Sequence, residues 1–562
     1  MSDTSTASAS AAGTMIPAPN HDVINQARPL VDFNPYDGDN ALRDAIVREN
    51  AAWAEDELSS LGAHVGTERF IELGELANVH QPKLHAFDRY GHRINEVRFH
   101  PAYHELMATS IRHGLHSQPW TDDRPGSWVA RLAKCYLVTQ VEQGHGCPIT
   151  MTFASIPALR WQPELHDQWF GKITSREYDP RNVPADQKSG VTVGMFMTEK
   201  QGGSDVRANT TRAIRDGDGW RLVGHKWFCS APMCDVFLTL AHTDKGLSCF
   251  LLPRWQPDGT RNRFAIQRLK DKLGNKSNAS SEIEYNGAWA QLVGEEGRGV
   301  RTIIEMVAHT RLDCVMGSAA VMRAAVAQAY WHAAHRKAFG KRLIEQPLMR
   351  NLLADLALEV EASLAIALRL GRAYDEGKND EHSAALARIA TPASKYHVCK
   401  RATNLVYEAL EVHGGNGFVE EAPMARLFRE APLNSVWEGS GNVMCLDVLR
   451  AMMREPAAVE ALGVEMNRTI GSDKRYDNFV TKLFADLRDG SNMEMRARDL
   501  VERIAVALQA SVLMQGSSEA VADLFIASRL DGNHGRHYGT LPVSSGIDEI
   551  VERAMPAAVA AS

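Results

Sequence analysis

The sequence of 562 residues has no long hydrophobic run and no excess of positive charge. No segment approaches the ~20 consecutive apolar residues that a membrane-spanning helix needs, so we expect no membrane anchor. The net charge of -7 and the pI near 6.3 exclude a basic surface over the whole chain, although they leave a local basic patch open. With 44% hydrophobic and 23% charged residues, the composition is typical of a globular protein of several domains.

The cysteines form no C-x-x-C pair and show no metal-ligand spacing. The eight of them stand at positions 135, 147, 229, 234, 249, 314, 399 and 445. This pattern predicts mostly buried, reduced thiols in a cytoplasmic protein without a metal site. The first residues, MSDTSTASASAAGTMIPAPN, contain no Lys or Arg and no long apolar core. We therefore expect residues 1–21 to be a disordered tail and not a signal peptide.

The spacing of apolar residues changes twice along the chain. Helical spacing dominates the first part, short β-type runs such as VTVGMFMT and WRLVGHKWF begin near Gly190, and helical spacing returns after Gly299. Long helices are predicted near residues 301–338, 347–376, 382–412 and 425–454. We predict a multidomain, mainly α protein: an N-terminal helical domain (22–189), a central antiparallel β domain folded as a barrel or sandwich (190–294), a four-helix bundle (295–454) and an extra C-terminal helical domain (455–562).

A glycine-rich segment, MTEKQGGSDV at residues 197–206, directly follows an apolar strand. Its two glycines permit close approach of the backbone, while Thr198, Ser204 and Asp205 supply donors and acceptors for a pyrophosphate or a ring edge. The segment is neither a P-loop nor a G-x-G-x-x-G turn. A tight loop between strands is an equally good interpretation of these residues alone.

Three further segments each have a structural and a functional interpretation. In HKWFCS (225–230), the aromatic pair and the serine could stack on a flat cofactor, but aromatic strand residues are usually core. In HRKAFGKRL (335–343), a basic cluster could bind a phosphate diester or simply end a helix. In EVHGGNGFVEE (411–421), the glycines could bind an anion or cap a helix.

A single acid, Glu438, stands in the stretch SVWEGSGN between Trp437 and a Gly-Ser-Gly step. A carboxylate between apolar neighbours suits a general base. The structural alternative is a helix cap, which Glu adopts less readily than Ser, Thr, Asp or Asn. The residues therefore favour the base without excluding the cap.

In this order, the segments resemble the acyl-CoA dehydrogenase superfamily of flavoproteins, and most strongly its AidB branch, the alkylation-response flavoproteins. The stretches that carry the resemblance are ANVHQPKLHAFDRYGHR, CPITMTFA, GMFMTEKQGGSDV, RLVGHKWF, RLKDKLGNKSNASSE and NSVWEGSGNVMCLDVLR. The resemblance extends over about residues 22–515. It implies a helical domain, a β domain and a four-helix bundle, with a further helical domain in the AidB branch, which agrees with the order read from periodicity.

The resemblance implies FAD as the cofactor. Within the β domain it assigns to FAD the residues Met197, Thr198, Gly203, Ser204, Phe228, Cys229 and Ser230. Met197 and Thr198 would meet the flavin edge, and Ser204 would reach the pyrophosphate. Phe228 and Ser230 stand where the family usually has Trp and Thr against the isoalloxazine ring.

A second group of residues is implied to contact FAD from the bundle. These are Arg336, Phe339, Gly414, Gly415, Gly417, Ser440 and Asn442, of which the last two approach the adenosine end. Arg336 and Phe339 would contact FAD bound mainly to a neighbouring subunit, which implies an obligate dimer and, by family habit, a homotetramer built as a dimer of dimers. The family commonly has Gln at the positions of Pro347 and Glu411, so this second half-site departs from the family pattern.

Glu438 falls on the position of the family's catalytic carboxylate. Some relatives carry this carboxylate at another position, on a bundle helix, and that position holds Thr310 here. We assign the neighbouring Arg311 to the substrate. The implied activity is that of an FAD-dependent acyl-CoA dehydrogenase: Glu438 removes the α-proton of an acyl-CoA thioester while a hydride leaves the β-carbon for flavin N5. The Glu438 backbone N–H and a flavin ribityl hydroxyl would stabilise the enolate oxygen.

An alternative hypothesis is a flavoprotein that binds or protects DNA, or detoxifies alkylating agents, with little dehydrogenase activity. In the AidB branch the terminal helical domain is the proposed contact with double-stranded DNA. Residues 451–562 contain 12 Lys and Arg against 16 Asp and Glu, which is not the basic balance that phosphate binding needs. Arg496 and Arg503 could still share a basic face, or form ordinary solvated surface. A helical scaffold without cofactor is disfavoured by the intact TEKQGGSD and WEGSGN segments.

Overall fold

The computed structural model describes residues 22–560, so the predicted tail 1–21 lies outside the described residues. Helices come first, a β-sheet follows, and three long helices and a group of shorter ones complete this range. Within it, no helix combines the length and the hydrophobicity that crossing a bilayer requires. All eight cysteines are free thiols, six of them buried, as predicted.

The N-terminal part consists mainly of helices, as predicted. They are α1 (Asn40–Arg48), α2 (Glu55–Val65), α3 (Glu68–Val79), α4 (Pro101–Arg112), α5 (Gln118–Thr121), α6 (Ser127–Thr139), α7 (Gly146–Leu159) and α8 (Pro163–Ile173). An antiparallel pair, β1 (Lys83–Phe87) and β2 (Arg93–Arg98), was not predicted. Both strands are short and mostly half-buried, so their sequence lacks a clear apolar alternation.

The central sheet contains seven strands. They are β3 (Val193–Phe196), β4 (Arg212–Asp216), β5 (Gly219–Ser230), β6 (Val236–Thr243), β7 (Gly246–Pro253), β8 (Phe264–Leu269) and β9 (Ser280–Val293). The strand order β3-β6-β4-β5-β9-β7, together with the β6–β7 pairing, closes the sheet into a small barrel, and β8 pairs with β9. The prediction of antiparallel strands fails at two pairs, because β6 runs parallel to β3 and to β4. Neither pair is joined by a hairpin, so no turn imposes an antiparallel direction.

The bundle contains three long helices and two short ones. They are α9 (Gly299–His335), α10 (Pro347–Glu376), α11 (Glu381–Val412), α12 (Pro423–Glu430) and α13 (Gly441–Arg454); a tight turn between α9 and α10 carries β10 (Lys337–Ala338) and β11 (Lys341–Arg342). The prediction of one helix over 425–454 is wrong, since the chain leaves the helix between α12 and α13. Pro432 lacks an N–H there, and Glu438 and Gly439 adopt positive φ angles of 56° and 98°.

The remaining helices pack against the bundle. They are α14 (Pro456–Asn467), α15 (Lys474–Arg488), α16 (Met493–Met514), α17 (Glu519–Phe525), α18 (Gly546–Arg553) and α19 (Ala557–Ala560). Arg369 on α10 makes two bonds of 2.7 Å to Glu465 on α14, and both side chains are buried. This packing fits the predicted extra C-terminal helices. The division into domains at residues 190, 295 and 455 stays a prediction.

Candidate active site

Glu438 lies on the turn between α12 and α13 and not at a helix cap. The N-cap residue of α13 is Ser440, two positions further on. The Glu438 carboxylate instead accepts a hydrogen bond of 2.6 Å from the Thr310 hydroxyl on α9. Its φ of +56° belongs to the left-handed region, which costs an L-residue ~1–2 kcal/mol. The turn is therefore held by its surroundings and not by its own preference.

Lys395, which is buried in the middle of α11, holds this turn by hydrogen bonds. Its ammonium donates to three backbone carbonyls: to Asn434 at 2.9 Å, to Trp437 at 2.8 Å and to Gly439 at 2.8 Å. Only 1% of Lys395 is exposed. Trp437 is fixed as well, because its indole N–H donates to the Asn434 side chain at 2.8 Å.

Arg311, the predicted substrate contact, holds the same turn from the α9 side. Its Nε donates to the Glu438 carbonyl at 3.1 Å, and its Nη1 donates to Asp447 at 2.7 Å. Arg311 is buried. In this structure two of its nitrogens are therefore engaged by the turn and by α13. Its assignment to the substrate stays a prediction.

The segment 197–206 forms a loop anchored by a buried ion pair. Lys226 donates to Glu199 at 2.8 Å, and the second carboxylate oxygen of Glu199 accepts from the backbone N–H of Thr210 at 2.6 Å. Burial alone would favour the neutral acid, but the Lys226 ammonium and the hydrogen bonds hold the pKa of Glu199 at about 2. The loop conformation is thus set by an acid that sequence reasoning did not single out.

The exposed part of this loop leaves donors free. Among residues 22–560, no acceptor takes the backbone N–H of Gly203, Ser204 or Asp205. A Cβ on Gly203 would lie 2.4 Å from the Thr198 hydroxyl, so the close approach of the Gly203 backbone to the Thr198 side chain favours glycine. Successive free N–H groups on a turn can bind a phosphate group. The segment therefore fits the pyrophosphate of a dinucleotide.

The strand segment 225–230 lies next to this loop, because the Trp227 N–H donates to the Thr198 carbonyl at 2.8 Å. Phe228 is half exposed, which is unusual for a strand phenylalanine and leaves a ring face for a flat ligand. Ser230 is half-buried, and its hydroxyl lies 3.2 Å from that of Ser280. Cys229 is fully buried in the barrel, so its side chain faces away from any ligand on that surface.

Cys147 on α7 connects the loop region with the acid. Burial raises the pKa of its thiol to about 12, and the charges of Lys272 and Glu438 and the Ser230 hydroxyl also act on this thiol. Lys272 is itself shielded from solvent, which lowers its pKa to about 8. Glu438 on the bundle and Ser230 on the barrel are therefore both close enough to act on this thiol, and the strand that carries Ser230 also bonds to the Thr198 carbonyl through the Trp227 N–H.

A second group of predicted residues lies elsewhere. Arg336 follows the end of α9, and Thr310 lies 26 residues earlier on that helix, a separation of ~39 Å at the usual helical rise. Arg336 donates to the Asn25 carbonyl at 2.6 Å, and Phe339 is almost fully exposed. Gln26 bonds to Asn416, in the turn Gly414–Gly417. The N-terminal segment thus links Arg336 to the turn containing Gly414, Gly415 and Gly417.

Ser440 and Asn442 lie where α13 begins. Ser440 makes no side-chain capping bond, whereas the Asn442 side chain accepts from Arg498 on α16 at 2.9 Å. The basic face proposed on α16 is neutralised, because Arg496 pairs with Asp489 and Arg503 pairs with Asp486. These two arginines therefore do not support DNA binding.

Sequence models of three domain families match the chain in order. They are the adaptive response protein AidB N-terminal domain over residues 25–180, the acyl-CoA dehydrogenase middle domain over 194–288 and the acyl-CoA dehydrogenase C-terminal domain over 297–453. The first and second matches meet close to the start of the sheet, and the second and third close to the start of α9.

Relatives match nearly the whole chain. AidB of Escherichia coli (strain K12) is 45% identical over 518 residues, which are 92% of this chain and 95% of that protein. Acyl-CoA dehydrogenase family member 11 of Caenorhabditis elegans is 31% identical over 481 residues, or 82% and 77% of the two chains. The crystal structure of Caenorhabditis elegans ACDH-11 in complex with C11-CoA has a TM-score of 0.82 at 26% identity, covering 96% of this chain and 93% of that one.

Proposed function

The chain belongs to the acyl-CoA dehydrogenase family, to its AidB branch, and from this premise we propose that Glu438 removes the α-proton of an acyl-CoA thioester. The family consists of FAD-dependent oxidoreductases that act on CH–CH groups. The observation that carries the proposal is the Glu438 turn: its carboxylate is held by Thr310 at 2.6 Å, on a loop that interrupts the bundle. An acid that served only as a helix cap would not need this arrangement.

The α-proton of a thioester is weakly acidic, so its removal needs a positioned base and donors for the developing oxyanion. Glu438 is that base. Its own backbone N–H has no acceptor among residues 22–560 and is available to the thioester carbonyl oxygen. When Glu438 takes up the proton, the carboxylic acid can donate to the Thr310 hydroxyl, because that hydroxyl also lies 3.0 Å from the Val307 carbonyl and can donate there.

FAD fits the residues that the family resemblance assigns to it. The free N–H groups of Gly203 and Ser204 would hold the pyrophosphate, while Phe228 and Ser230 would face the isoalloxazine ring. Bound FAD would supply the acceptor for the hydride that leaves the β-carbon of the substrate. Cys229 contributes through its backbone only, since its side chain lies in the barrel core.

A thioester of coenzyme A is the proposed class of substrate. Support comes from the relative whose structure contains C11-CoA and which matches 96% of this chain. The acyl chain length is the quantity that a panel of thioesters will determine.

We place the active protein in a dimer, and by family habit in a homotetramer. Arg336 and Thr310 are ~39 Å apart along α9, which exceeds the length of an extended FAD molecule. Thr310 bonds to Glu438, which must lie close to the flavin, so Arg336 can contact FAD only if it reaches the cofactor of a second copy. Phe339, Leu348 and Phe418 are each more than four-fifths exposed, and such apolar surface suits burial against another subunit.

The test is an anaerobic titration of the purified flavoprotein with acyl-CoAs of graded chain length. We expect the visible flavin absorbance of the wild type to bleach with at least one thioester. Glu438→Gln should keep FAD and still bind that thioester, but lose the bleaching by three orders of magnitude or more, since a carboxamide cannot accept the proton. Glu460→Gln, an exposed change on α14, is the matched control and should behave as wild type. Bleaching of Glu438→Gln at the wild-type rate would refute the assignment.

A further inference from the structure

All the backbone carbonyls next to Glu438 are bound by two buried cations. Lys395 takes those of Trp437 and Gly439, together with Asn434, and Arg311 takes that of Glu438 itself. An ammonium group has three donors, so Lys395 spends its whole hydrogen-bonding capacity on this turn.

Lys395 differs from the other buried lysines of the described residues in having no acidic partner. Lys134, Lys188 and Lys226 each form an ion pair with a carboxylate. Among residues 22–560, no carboxylate lies within ion-pair distance of Lys395. Burying an ammonium without a counter-ion is costly, and it is tolerated here only because three carbonyls converge on it. A group kept at that cost is a candidate for a functional role.

The contact with Trp437 fixes one peptide plane. In a trans peptide the C=O and the following N–H point in opposite directions. Because the Trp437 carbonyl points to Lys395, the Glu438 N–H points away from Lys395. That N–H has no acceptor among residues 22–560, and Glu438 holds the unfavourable φ of +56°. Rotation of the Trp437–Glu438 peptide plane would relieve the unfavourable φ of Glu438 and would change the direction in which the Glu438 N–H points.

We propose that Lys395 is a positioning residue for the dehydrogenase reaction: it holds the Trp437–Glu438 peptide so that the Glu438 N–H stays free for the thioester oxygen and the carboxylate stays at Thr310. The proposal rests on the proposed function for its catalytic part. Its structural part, the fixed turn, stands on the three carbonyl contacts alone.

The rival interpretation is that Lys395 only joins α11 to the loop. A purely structural lysine would change the thermal midpoint but not the chemistry of the folded holoprotein. A positioning residue would lower the rate of proton removal while substrate affinity stays nearly constant. Loss of one preorganised oxyanion donor typically slows a reaction by ~10²–10³-fold.

The experiment compares wild type with Lys395→Met and with Lys134→Met, which removes another buried lysine whose ammonium bonds to Glu57 and to the His113 carbonyl and not to the turn. Each variant is purified with FAD, and the acyl-CoA that bleaches the wild type fastest is used in anaerobic stopped flow. We expect ~100-fold slower bleaching at saturating thioester in Lys395→Met, a half-saturation concentration within about threefold of wild type, and a wild-type rate in Lys134→Met. Wild-type bleaching in Lys395→Met overturns the proposal.

A 3-thiaacyl-CoA separates proton removal from oxidation, because sulfur replaces the β-carbon and no hydride can leave. The long-wavelength band that such an anion gives when stacked on an oxidised flavin should form in the wild type and be lost in Lys395→Met. If that variant does not fold with FAD, Lys395→Arg replaces it. The guanidinium keeps the charge but cannot place three donors at one point, so the same losses are expected, and full activity of the arginine variant overturns the proposal.

Hydrogen exchange gives a readout that needs no substrate. The N–H groups of Ser435, Val436 and Trp437 donate to the carbonyls of Pro432 and Leu433. We expect their exchange to accelerate in Lys395→Met while α9 and α10 remain protected. Should no thioester bleach the wild type, the proposed function fails, and this exchange still decides whether Lys395 holds the turn: unchanged exchange rejects it.

Discussion

Replacing Glu430 with glutamine should stabilise the protein above pH 7 but not at pH 4.5. Glu430 ends α12, is buried, and accepts the Asn275 N–H at 2.6 Å. Burial, and next the negative charge of Glu142, raise the pKa of Glu430 from 4.5 to about 7. Glu142 stays ionised, because His145 and its hydrogen bonds outweigh its own burial and hold the pKa of Glu142 well below its usual range.

The direction in which stability changes with pH follows from how many protons the folded and the unfolded chain bind. Below pH 4.5 the folded and the unfolded chain both carry the proton on Glu430. Folding then buries a neutral carboxyl group, and no charge has to be removed from water. Between pH 4.5 and about 7 the unfolded chain releases the proton while the folded protein keeps it, so stability falls as pH rises. Above about pH 7 Glu430 is ionised in both states, and burial of its charge lowers the free energy of unfolding by about 3 kcal/mol.

The carboxamide introduced by Glu430→Gln would keep an acceptor for the Asn275 N–H and carry no charge at any pH. The assay is the thermal midpoint of Glu430→Gln minus that of wild type, measured from pH 4.5 to 8.5 by calorimetry. We expect this difference to rise by several °C across the range, since ~1 kcal/mol moves the midpoint of a 150–250-residue unit by ~2–4 °C. Glu421→Gln, an exposed change nearby, should give a flat difference. A flat difference for Glu430→Gln as well would refute the reasoning.

Two further predictions concern the site itself. Thr310→Val removes the hydroxyl that donates to Glu438 at 2.6 Å, and loss of a charge-assisted bond of ~1.5–3 kcal/mol should slow flavin bleaching ~10–100-fold in stopped flow with FAD content unchanged; a wild-type rate would contradict it. Gly203→Ala places a Cβ 2.4 Å from the Thr198 hydroxyl, and we expect FAD affinity, followed by flavin fluorescence, to fall ~10-fold or more, whereas Gly490→Ala in open space should leave it unchanged.

Much of the architecture could be predicted because it depends on repeated patterns. The three long helices bury apolar residues at helical spacing, and the order of helices, barrel and bundle follows from changes in that spacing. The loop at 197–206 could be found because its glycines permit close backbone approach. The β1–β2 pair escaped, since polar and half-buried strands lack such a pattern.

Lys395 could not be found from sequence in the same way. It stands inside the continuous helical segment TPASKYHVC, and its three acceptors are backbone carbonyls, which every residue type offers. Its partner Trp437 is 42 positions away. The interruption between α12 and α13 was missed for a related reason: the segment keeps apolar residues on both sides, and the non-helical turn is stabilised by side chains remote in sequence, among them Lys395, Arg311 and Thr310.

The interrupted fourth helix also limits how this site can be transplanted. A designer who moves the eight letters SVWEGSGN into another bundle would transfer the acid without the means of shaping it. The left-handed residue would relax, and the amide facing the ligand would turn with it. A transplanted site must therefore include three segments that are far apart in the sequence: the loop, the helix that carries the lysine and the helix that carries the arginine.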